Sequence, residues 1–421
     1  MIRLSLSAKP WLPPIATTAL LLAALVGTPL AASDDSGSSD STDWTGFRNA
    51  GQALPESTDP PTDLATPTWT IELPGFGQSS PVVFDGVIFM TSVTGEQKET
   101  IWISAHDFAD GRELWRKSWP ASETMKSNEM VARAAPTPAV DSERLIALFG
   151  SGDLVAVDLE GKLLWRRNLS KEYGSFAGNH GVANSVALTD NAAVVLLARK
   201  TYSYLLAVDR GTGETLWKTD RAAGVSWTTP TVSPEGDEIV VSSNGSVEGY
   251  DPKNGERLWI VEDVKSNTAQ SPVVTAEHVL VSGSEATANF AIKRGLRGVL
   301  DSSAIAWTSE STSNFGSPAL SKDCAYWVNK AGVAQCIDPT TGRSRWKHRL
   351  PQSIWATPIV SQGRVYFFGD GGAIQILEDS ASGAEVLASF ELELDTQLTA
   401  AIAVDSTLLI RAGNQLRAYR R

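Results

Sequence analysis

The stretch AVDRGTGETLW at residues 207–217 carries the pattern that decides the fold of this chain. It contains Asp209, a glycine four residues later at Gly213, and a tryptophan four residues after that at Trp217. An aspartate accepts hydrogen bonds from nearby backbone amides in an Asx-turn, and a glycine tolerates positive φ. The pattern therefore predicts a hairpin between two strands, with the tryptophan at the start of the outgoing strand.

The same pattern recurs along the chain at nearly constant spacing. Complete copies occur at Asp107, Gly111 and Trp115; Asp158, Gly161 and Trp165; Asp209, Gly213 and Trp217; Asp251, Gly255 and Trp259; and Asp338, Gly342 and Trp346. A sixth copy, at 377–387, has Leu387 in place of the tryptophan. A large ring at the same place in every repeat predicts a wedge between neighbouring units, because a small sheet cannot bury both of its faces alone.

A second repeated element is a Ser-Pro or Thr-Pro step that leads into an apolar run. The steps are Ser80-Pro81, Thr137-Pro138, Thr229-Pro230, Ser271-Pro272, Ser317-Pro318 and Thr357-Pro358. Proline suits the first residue of a strand. Two short strands joined by a turn follow, as in residues 80–92, where Asp85-Gly86 supplies the hairpin. Each unit is therefore predicted to hold about four strands.

Counting the positions that close each unit predicts the fold class. They are Trp69, Trp115, Trp165, Trp217, Trp259, Trp307, Trp346 and Leu387. Their separations of about 40 to 50 residues are typical of propeller blades. Residues 66–74 and 399–421 each hold only part of a unit, so we expect the two ends to complete one blade. The prediction is an all-β fold: an eight-bladed β-propeller of four-stranded antiparallel blades, closed by pairing of N- and C-terminal strands.

These repeats resemble the PQQ-like (pyrroloquinoline quinone repeat) β-propeller family over residues 66–421. That family includes quinoprotein alcohol dehydrogenases and the propeller lipoprotein of the outer-membrane protein assembly machinery. The segments WTGFRN at 44–49, KEYGSFAGNHG at 171–181 and IRAGNQLRAY at 410–419 also resemble the secreted PQQ-like repeat proteins of planctomycete-type bacteria. The resemblance implies the propeller fold and, as its nearest named function, a role in outer-membrane protein assembly.

The N-terminus has the pattern of an export signal. Arg3 and Lys9 precede an apolar stretch at 15–26 and the small-residue segment GTPLAAS at 27–33. We expect a signal peptide over 1–32 and a periplasmic or secreted protein. An uncleaved anchor is the alternative, because residues 11–32 carry no charge.

No cysteine follows the apolar stretch, so a lipoprotein attachment site is absent there. This differs from the lipoprotein that the family contains. Residues 33–65 are rich in Ser, Asp and Pro and predict a flexible, unpacked linker before the propeller domain at 66–421.

The formal net charge of −12 argues against nucleic acid as a partner, since an acidic surface repels phosphates. We expect a monomer that binds protein segments in the cell envelope. Membrane association is expected only through partners or through an uncleaved signal anchor.

The chain contains two cysteines, Cys324 and Cys336, which flank a predicted turn. A hairpin centred on Lys330 places them opposite each other and allows a disulfide. A four-residue turn over 329–332 instead places them on opposite faces. Two free, buried thiols are favoured over the disulfide, and both remain open.

The sequence lacks an assembled catalytic set. It contains no G-x-S-x-G, no H-E-x-x-H and no phosphate loop, and its four histidines are scattered. The quinoprotein dehydrogenases that the resemblance includes carry adjacent cysteines that pack on the quinone, and this chain has no adjacent pair. We therefore expect no catalytic residues, no metal site and no cofactor, with PQQ and calcium only under the dehydrogenase alternative.

Loops that precede the innermost strands converge at one rim of a propeller channel and are the expected place for a site. The candidate residues there are Gln78, Arg133, His180, Trp227, Gln270, Phe315 and Trp355. Their simplest role is to line a channel that holds ordered water. The functional prediction is a non-catalytic exported scaffold for protein binding. The alternatives are a PQQ-dependent oxidoreductase and a glycan-binding surface module.

Overall fold

The computed structural model describes residues 43–51, 54, 57–124, 131–176, 181–265 and 269–421. Nearly all regular structure is β. In chain order the strands are β1 (Trp69–Glu72), β2 (Val82–Phe84), β3 (Val87–Thr94), β4 (Thr100–Asp107), β5 (Glu113–Pro120), β6 (Ala139–Val140), β7 (Arg144–Leu148), β8 (Asp153–Asp158), β9 (Leu163–Asn168), β10 (Ala187–Leu188), β11 (Ala192–Ala198), β12 (Ser203–Asp209), β13 (Thr215–Arg221), β14 (Thr231–Val232), β15 (Ile239–Ser243), β16 (Gly245–Tyr250), β17 (Arg257–Val264), β18 (Val273–Val274), β19 (His278–Val281), β20 (Phe290–Lys293), β21 (Gly298–Val299), β22 (Ile305–Thr308), β23 (Ala319–Leu320), β24 (Ala325–Val328), β25 (Val333–Ile337), β26 (Ser344–Arg349), β27 (Ile359–Ser361), β28 (Arg364–Phe368), β29 (Ala373–Glu378), β30 (Val386–Glu391), β31 (Leu398–Val404), β32 (Thr407–Ala412) and β33 (Gln415–Arg420).

Helical structure in the described ranges is short. It consists of one α-helix, α1 (Leu169–Tyr173), and 3₁₀ turns at Asn49–Gly51, Ala286–Ala288 and Ser302–Ala304. In the described ranges, no helix has the length and apolar character needed to cross a membrane.

The strands form eight sheets, which confirms the predicted eight-bladed propeller. Blade 1 is β2–β5, blade 2 is β6–β9, blade 3 is β10–β13, and blade 4 is β14–β17 with β21 added. Blade 5 is β18, β19, β20 and β22, blade 6 is β23–β26, and blade 7 is β27–β30. Blade 8 contains β31, β32, β33 and β1 in that order from the inside, so the two ends of the propeller close it as predicted.

The closing tryptophans are wedges between blades, as the repeat predicts. The indole Nε1 of Trp165 in blade 2 donates 2.9 Å to the Arg210 carbonyl in blade 3, and Trp217 in blade 3 donates 3.0 Å to Pro252 in blade 4. Trp115, Trp307 and Trp346 bond the next blade's turn in the same way. The tryptophan of one blade therefore anchors the hairpin of the next.

The glycine and a small residue of the motif make room for this ring. Gly213 has a φ of +74°, and a Cβ added to it would lie 2.6 Å from the Trp165 ring. Within a blade, the tryptophan faces a small residue beside a β-bulge, as in the pair Ala207 and Trp217. The glycine is thus required both for its backbone conformation and for the space that it leaves.

The junction between blades 4 and 5 is built differently, because blade 5 lacks the motif glycine. The Trp259 indole donates to the Glu238 carboxylate of its own blade. The insertion that follows β20 returns to blade 4, where β21 pairs in parallel with β17. The Leu300 amide completes this contact with a 2.8 Å bond to the Ile260 carbonyl. Blade 4 therefore has five strands, one more than predicted.

Blades 3 and 4 share a buried ion pair. The Arg221 guanidinium donates 2.7 Å to Glu248, and both side chains are almost fully buried. Ser246 also donates to Glu248, at 2.5 Å, and so does Tyr250. Burial raises the pKa of Glu248, but Arg221 and these hydrogen bonds outweigh that effect, so its pKa lies below the ordinary value.

The prediction of an unpacked linker over 33–65 is wrong for its described part. Leu64 is fully buried in the core that blades 7 and 8 share, and Thr58 is 2% exposed. The Pro60 carbonyl accepts a 2.9 Å bond from the Tyr366 hydroxyl. Asp59 pairs with Arg364 and Arg421. Composition alone misled the prediction because proline-rich segments also pack well when a groove receives them.

Cys324 and Cys336 form a disulfide, which corrects the preference for free thiols. Neither predicted hairpin register is observed, because β24 pairs Tyr326 with Cys336. The Asn329 side chain accepts bonds from the amides of Ala331 and Val333, which moves the turn one residue further. In this register the two cysteines are diagonal neighbours on one face, with a Cα–Cα distance of 5.2 Å.

Candidate functional site in the central channel

Residues 43–51, here called the channel segment, lie against the innermost strands of the blades. Trp44 and Val83 of β2 exchange two backbone hydrogen bonds of 2.8 Å. The Thr45 carbonyl then accepts a 2.9 Å bond from the Val140 amide in β6. Because each blade contributes its first strand to the channel wall, these bonds hold the segment inside the channel.

The channel segment ends in a left-handed turn. Arg48, Asn49 and Ala50 have φ values of 55°, 53° and 52°, followed by Gly51 at 82°. The amides of Asn49, Ala50 and Gly51 each donate 3.1 Å to the carbonyl three residues earlier. The left-handed conformation costs about 1–2 kcal/mol for each non-glycine residue. Tertiary contacts must therefore hold this turn in place.

Arg48 supplies the strongest of these contacts. Its Nη1 donates to the carbonyls of Ser271 and Pro272, at 3.3 and 3.1 Å, and its Nη2 donates to Pro318 at 3.3 Å. Two of the repeated Ser-Pro steps thus present carbonyl oxygens to one guanidinium. Loss of water around the side chain lowers the pKa of Arg48 to about 10. Among the described residues it has no carboxylate partner within 4 Å.

A cavity of about 560 Å³ lies beside the channel segment. The inner strands β18, β23, β27 and β31 form much of its wall. Aromatic side chains from the predicted rim complete it, with the Phe315 and Trp355 rings 4.9 Å apart and Trp227 nearby on the lining. Arg48 is the charged side chain among the described residues that line this cavity.

Several lining residues have buried polar atoms without a hydrogen-bond partner in the described part of the chain. They are Trp44 Nε1, Asn49 Oδ1 and Thr399 Oγ1. Asn49 is 3% exposed, so bulk water does not compensate it. A buried polar group without a partner costs about 1–3 kcal/mol. These atoms could therefore form hydrogen bonds with a polar molecule in the cavity.

A second cavity of about 570 Å³ lies on the other side of the channel segment. Its wall comes from β6, β10 and β14, whereas blades 5 to 8 dominate the first cavity. Phe47, Arg48 and Gly51 line both. The channel segment is therefore a partition between two spaces.

The structure brings four of the predicted rim residues to the first cavity: Gln78, Trp227, Phe315 and Trp355. Arg133 and Gln270 are buried in the wall, at 3% and 2% exposure, and do not line it. Arg133 donates to the Gly150 carbonyl, and burial lowers its pKa. His180 lies outside the described residues.

Sequence reasoning missed the residues of the channel segment. Trp44, Arg48 and Asn49 fall within WTGFRN, inside the stretch 33–65 that the composition predicts to be linker. Two aromatic residues and an arginine inside a segment otherwise rich in Ser, Asp and Pro were the available signal. Arg48 contacts carbonyls in blades that lie more than 200 residues later in the sequence. No local sequence pattern specifies such contacts.

The lining of the first cavity is mainly apolar and aromatic, with neutral polar groups. It combines one cation, five aromatic residues and a few hydrogen-bonding groups, and no carboxylate occurs among its described lining residues. Across the described ranges, no cluster of three or more His, Cys, Asp or Glu side chains is arranged to hold a metal ion.

Comparison with known proteins agrees with this architecture. The family model for outer membrane protein assembly factor BamB matches residues 63–261, 179–303 and 298–416. BamB of Shewanella oneidensis is 30% identical over 149 residues, which are 34% of this chain and 36% of that protein. The alignment thus spans about a third of this relative.

Solved structures share the fold at low sequence identity. The crystal structure of BamB from Moraxella catarrhalis has a TM-score of 0.63 at 12% identity, and the match covers 85% of this chain and 98% of that one. Quinohemoprotein alcohol dehydrogenase from Comamonas testosteroni has a TM-score of 0.66 at 12% identity, covering 90% and 80%. A europium-containing methanol dehydrogenase has a TM-score of 0.65 at 10% identity, covering 89% and 91%. Because the BamB family model covers most of the propeller while the structural likeness shows the fold alone, this chain belongs to the family of the outer membrane protein assembly factor BamB.

Proposed function

We propose that this chain is an exported, non-catalytic propeller that binds protein segments in the cell envelope as a scaffold for outer-membrane protein assembly. Membership of the BamB family supports this proposal. The observation that carries it is a repeated set of exposed apolar side chains on the outermost strands.

These apolar residues stand directly before the closing position of their blades. Leu114, Leu164 and Leu216 precede Trp115, Trp165 and Trp217 and are 41–44% exposed. Val386 precedes Leu387, and both are exposed as well. Recurrence at one place in the repeat puts such side chains on the outer strands of blades 1, 2, 3 and 7. A partner segment that pairs with such an outer strand would place its own alternate side chains against these apolar residues.

The molecule itself shows that an outer strand accepts another strand. In blade 4, β21 pairs with the outer edge of β17 through the pairs Trp259–Gly298 and Ile260–Val299. Within the described ranges, the outermost strands of the other seven blades are the last in their sheets. An extended segment of a partner can pair with such an edge by β-augmentation.

The residues present do not fit the quinone and calcium of the dehydrogenases that share the fold. The first cavity contains no carboxylate among its described lining residues, so it offers no anionic ligand for a calcium ion beside a quinone. The two cysteines are twelve residues apart and bridge a hairpin inside blade 6. They do not form the adjacent pair expected from the resemblance to quinoprotein dehydrogenases.

Site-specific photo-crosslinking in intact cells tests the scaffold role. A benzophenone amino acid would replace Leu164 or Leu216 on the outer strands. The control position is Glu96, which is exposed in the hairpin between β3 and β4. We expect both outer-strand positions to capture a protein of the outer-membrane assembly machinery, with no capture at the control. Equal capture at all three positions, or none, would contradict the proposal.

Reconstitution tests the enzyme alternative separately. The purified chain would be incubated with PQQ and calcium and assayed for dye-linked oxidation of alcohols and sugars. We expect no turnover above the cofactor alone. Sustained turnover would overturn the non-catalytic part of the proposal.

A further inference from the structure

We propose that the first cavity is a binding site for a small planar aromatic monocarboxylate, with Arg48 holding the carboxylate and Trp227, Phe315 and Trp355 holding the ring. This site is distinct from the outer strands on which the scaffold proposal rests. It depends on the channel segment, which contributes both the cation and part of the wall.

The charge of the site selects an anion. Arg48 has five N–H donors and makes three hydrogen bonds to backbone carbonyls, so at least two donors have no partner among the described residues. No described lining residue is acidic. A single partly buried guanidinium without a carboxylate partner among the described residues is compensated best by one negative charge, and its planar fork matches a carboxylate.

The neutral polar atoms extend this preference. Trp44 Nε1 is a donor without a partner, and the Thr399 hydroxyl can also donate. Both belong to residues that line the cavity. Asn49 offers an unpaired acceptor, Oδ1, to a ligand N–H or O–H. A carboxylate that carries a ring with one N–H, such as an indole acid, satisfies both kinds of group.

The remaining wall selects the ring. Phe315 and Trp355 pack at an interplanar angle of 48°, and both rings are only partly buried, as is the Trp227 ring. Partly exposed aromatic faces beside an apolar strand wall favour a flat apolar ligand. The volume of about 560 Å³ lies within the range of about 300–1,000 Å³ that is usual for small-molecule sites.

The left-handed turn gives the site its rigidity. Arg48 itself has a φ of 55° and stands at the start of four consecutive residues in this region. Hydrogen bonds to the carbonyls of Pro272 and Pro318, just before β18 and β23, hold the guanidinium without a ligand. Such preorganisation reduces the entropic cost of binding.

Calorimetric titration of the purified chain tests the site with indole-3-acetate as the probe. Its neutral amide, indole-3-acetamide, is the matched ligand control. We expect saturable binding of the acid at least about tenfold tighter than the amide, the ratio that one charged contact supports.

Variants then locate the contact. Arg48→Met keeps the length of the side chain and removes its charge, and it should abolish the difference between acid and amide. Trp355→Ala should weaken both probes by a similar factor. Arg297→Met removes an arginine from the insertion between β20 and β22, which does not line the cavity, and should change the affinity for neither probe.

A melting curve for each variant shows whether it is folded. If Arg48→Met does not fold, Thr399→Val provides the second variant and should weaken the acid more than the amide. The inference is wrong if the unmodified chain shows no saturable binding, or if acid and amide bind equally. It is also wrong if folded Arg48→Met retains the preference for the acid.

The result of the titration can be distinguished from the result of the tests of the proposed function. Failure of the titration leaves the scaffold role intact, because the outer strands do not take part. Turnover with PQQ would overturn the non-catalytic part of the proposed function alone.

Discussion

Blade 4 meets its two neighbours through junctions of opposite design. On the blade 3 side, Trp217 packs on Gly255 and donates to the Pro252 carbonyl, and the pair Arg221–Glu248 is buried beside it. On the blade 5 side there is no motif glycine, so Trp259 uses the Glu238 carboxylate as its acceptor.

The ion pairs at the two junctions of blade 4 also differ, in how far their acidic side chains are exposed. Arg294 of blade 5 meets Glu235 and Asp237 of blade 4 at 2.9 and 3.2 Å, and both acids are more than half exposed. Both junctions nevertheless have apolar cores. The comparison teaches that the repeat motif is one solution to blade packing. Where it is missing, the ion cluster around Arg294 and the added strand β21 close the junction.

The largest effect is expected from breaking the buried pair on the blade 3 side. Arg221→Met leaves Glu248 buried without its cation, and we expect the free energy of unfolding to fall by about 3–5 kcal/mol. Urea unfolding measures this loss. The double variant Arg221→Met with Glu248→Leu removes both charges and should recover much of it. No recovery would show that the pair acts through something other than its charge.

The next largest effect is expected from adding one methyl group to a glycine at each junction and comparing the losses in stability. A Cβ at Gly255 would lie 2.3 Å from the Trp217 ring at a φ of +71°. Gly255→Ala should therefore add an overpacking cost of about 1–3 kcal/mol to the strain. Gly298→Ala in β21 is the matched control, with a φ of +82° and no atom within 4 Å. It should cost about 1–2 kcal/mol, from the left-handed backbone alone. Equal losses in urea unfolding would refute the difference between the junctions.

Acid should weaken the blade 3 side selectively. The folded-state pKa of Glu248 lies below its ordinary value of 4.5. Its ionised form therefore stabilises the fold above pH 4.5, and this contribution is lost as the pH falls through the lower folded-state pKa. Melting temperatures between pH 2.5 and 6 should fall less steeply for Glu248→Gln. The exposed Glu262→Gln variant is the control and should keep the original slope.

Exposing the outer edge of β17, which β21 covers, is expected to lower stability less than the preceding changes. Its main effect should be on the binding of partner proteins. Leu300→Pro removes the amide that bonds the Ile260 carbonyl, at a cost of about 1–3 kcal/mol. A crosslinker at Leu258, which is only partly exposed on β17, should then capture partners, as we expect of Leu164. If the crosslinker at Leu258 still captures no partner, a free strand edge does not suffice for binding.

Much of the propeller follows from local chemistry. The Asp, Gly and Trp motif specifies a hairpin, a small space and a wedge within eleven residues, so the blades and the interblade role of Trp165 and Trp217 were predictable. The pairing of β1 with β33 was predictable because each end of the chain holds an incomplete unit.

The register around the cysteines was not predictable. A shift of one residue in a hairpin reverses the faces of its side chains, and the Asn329 side chain decides between turns that are close in energy. The disulfide of Cys324 and Cys336 follows from that choice.

The sequence by itself determined the repeat, the number of blades and the wedge, because these depend on contacts within one unit and its neighbour. Only the tertiary structure decided the contents of the channel. Arg48 acquires its role from the carbonyls of Ser271, Pro272 and Pro318, which closure of the ring brings to the channel segment. Contacts that join residues more than 200 positions apart leave no periodic pattern, so the candidate ligand site emerges only once the chain is folded.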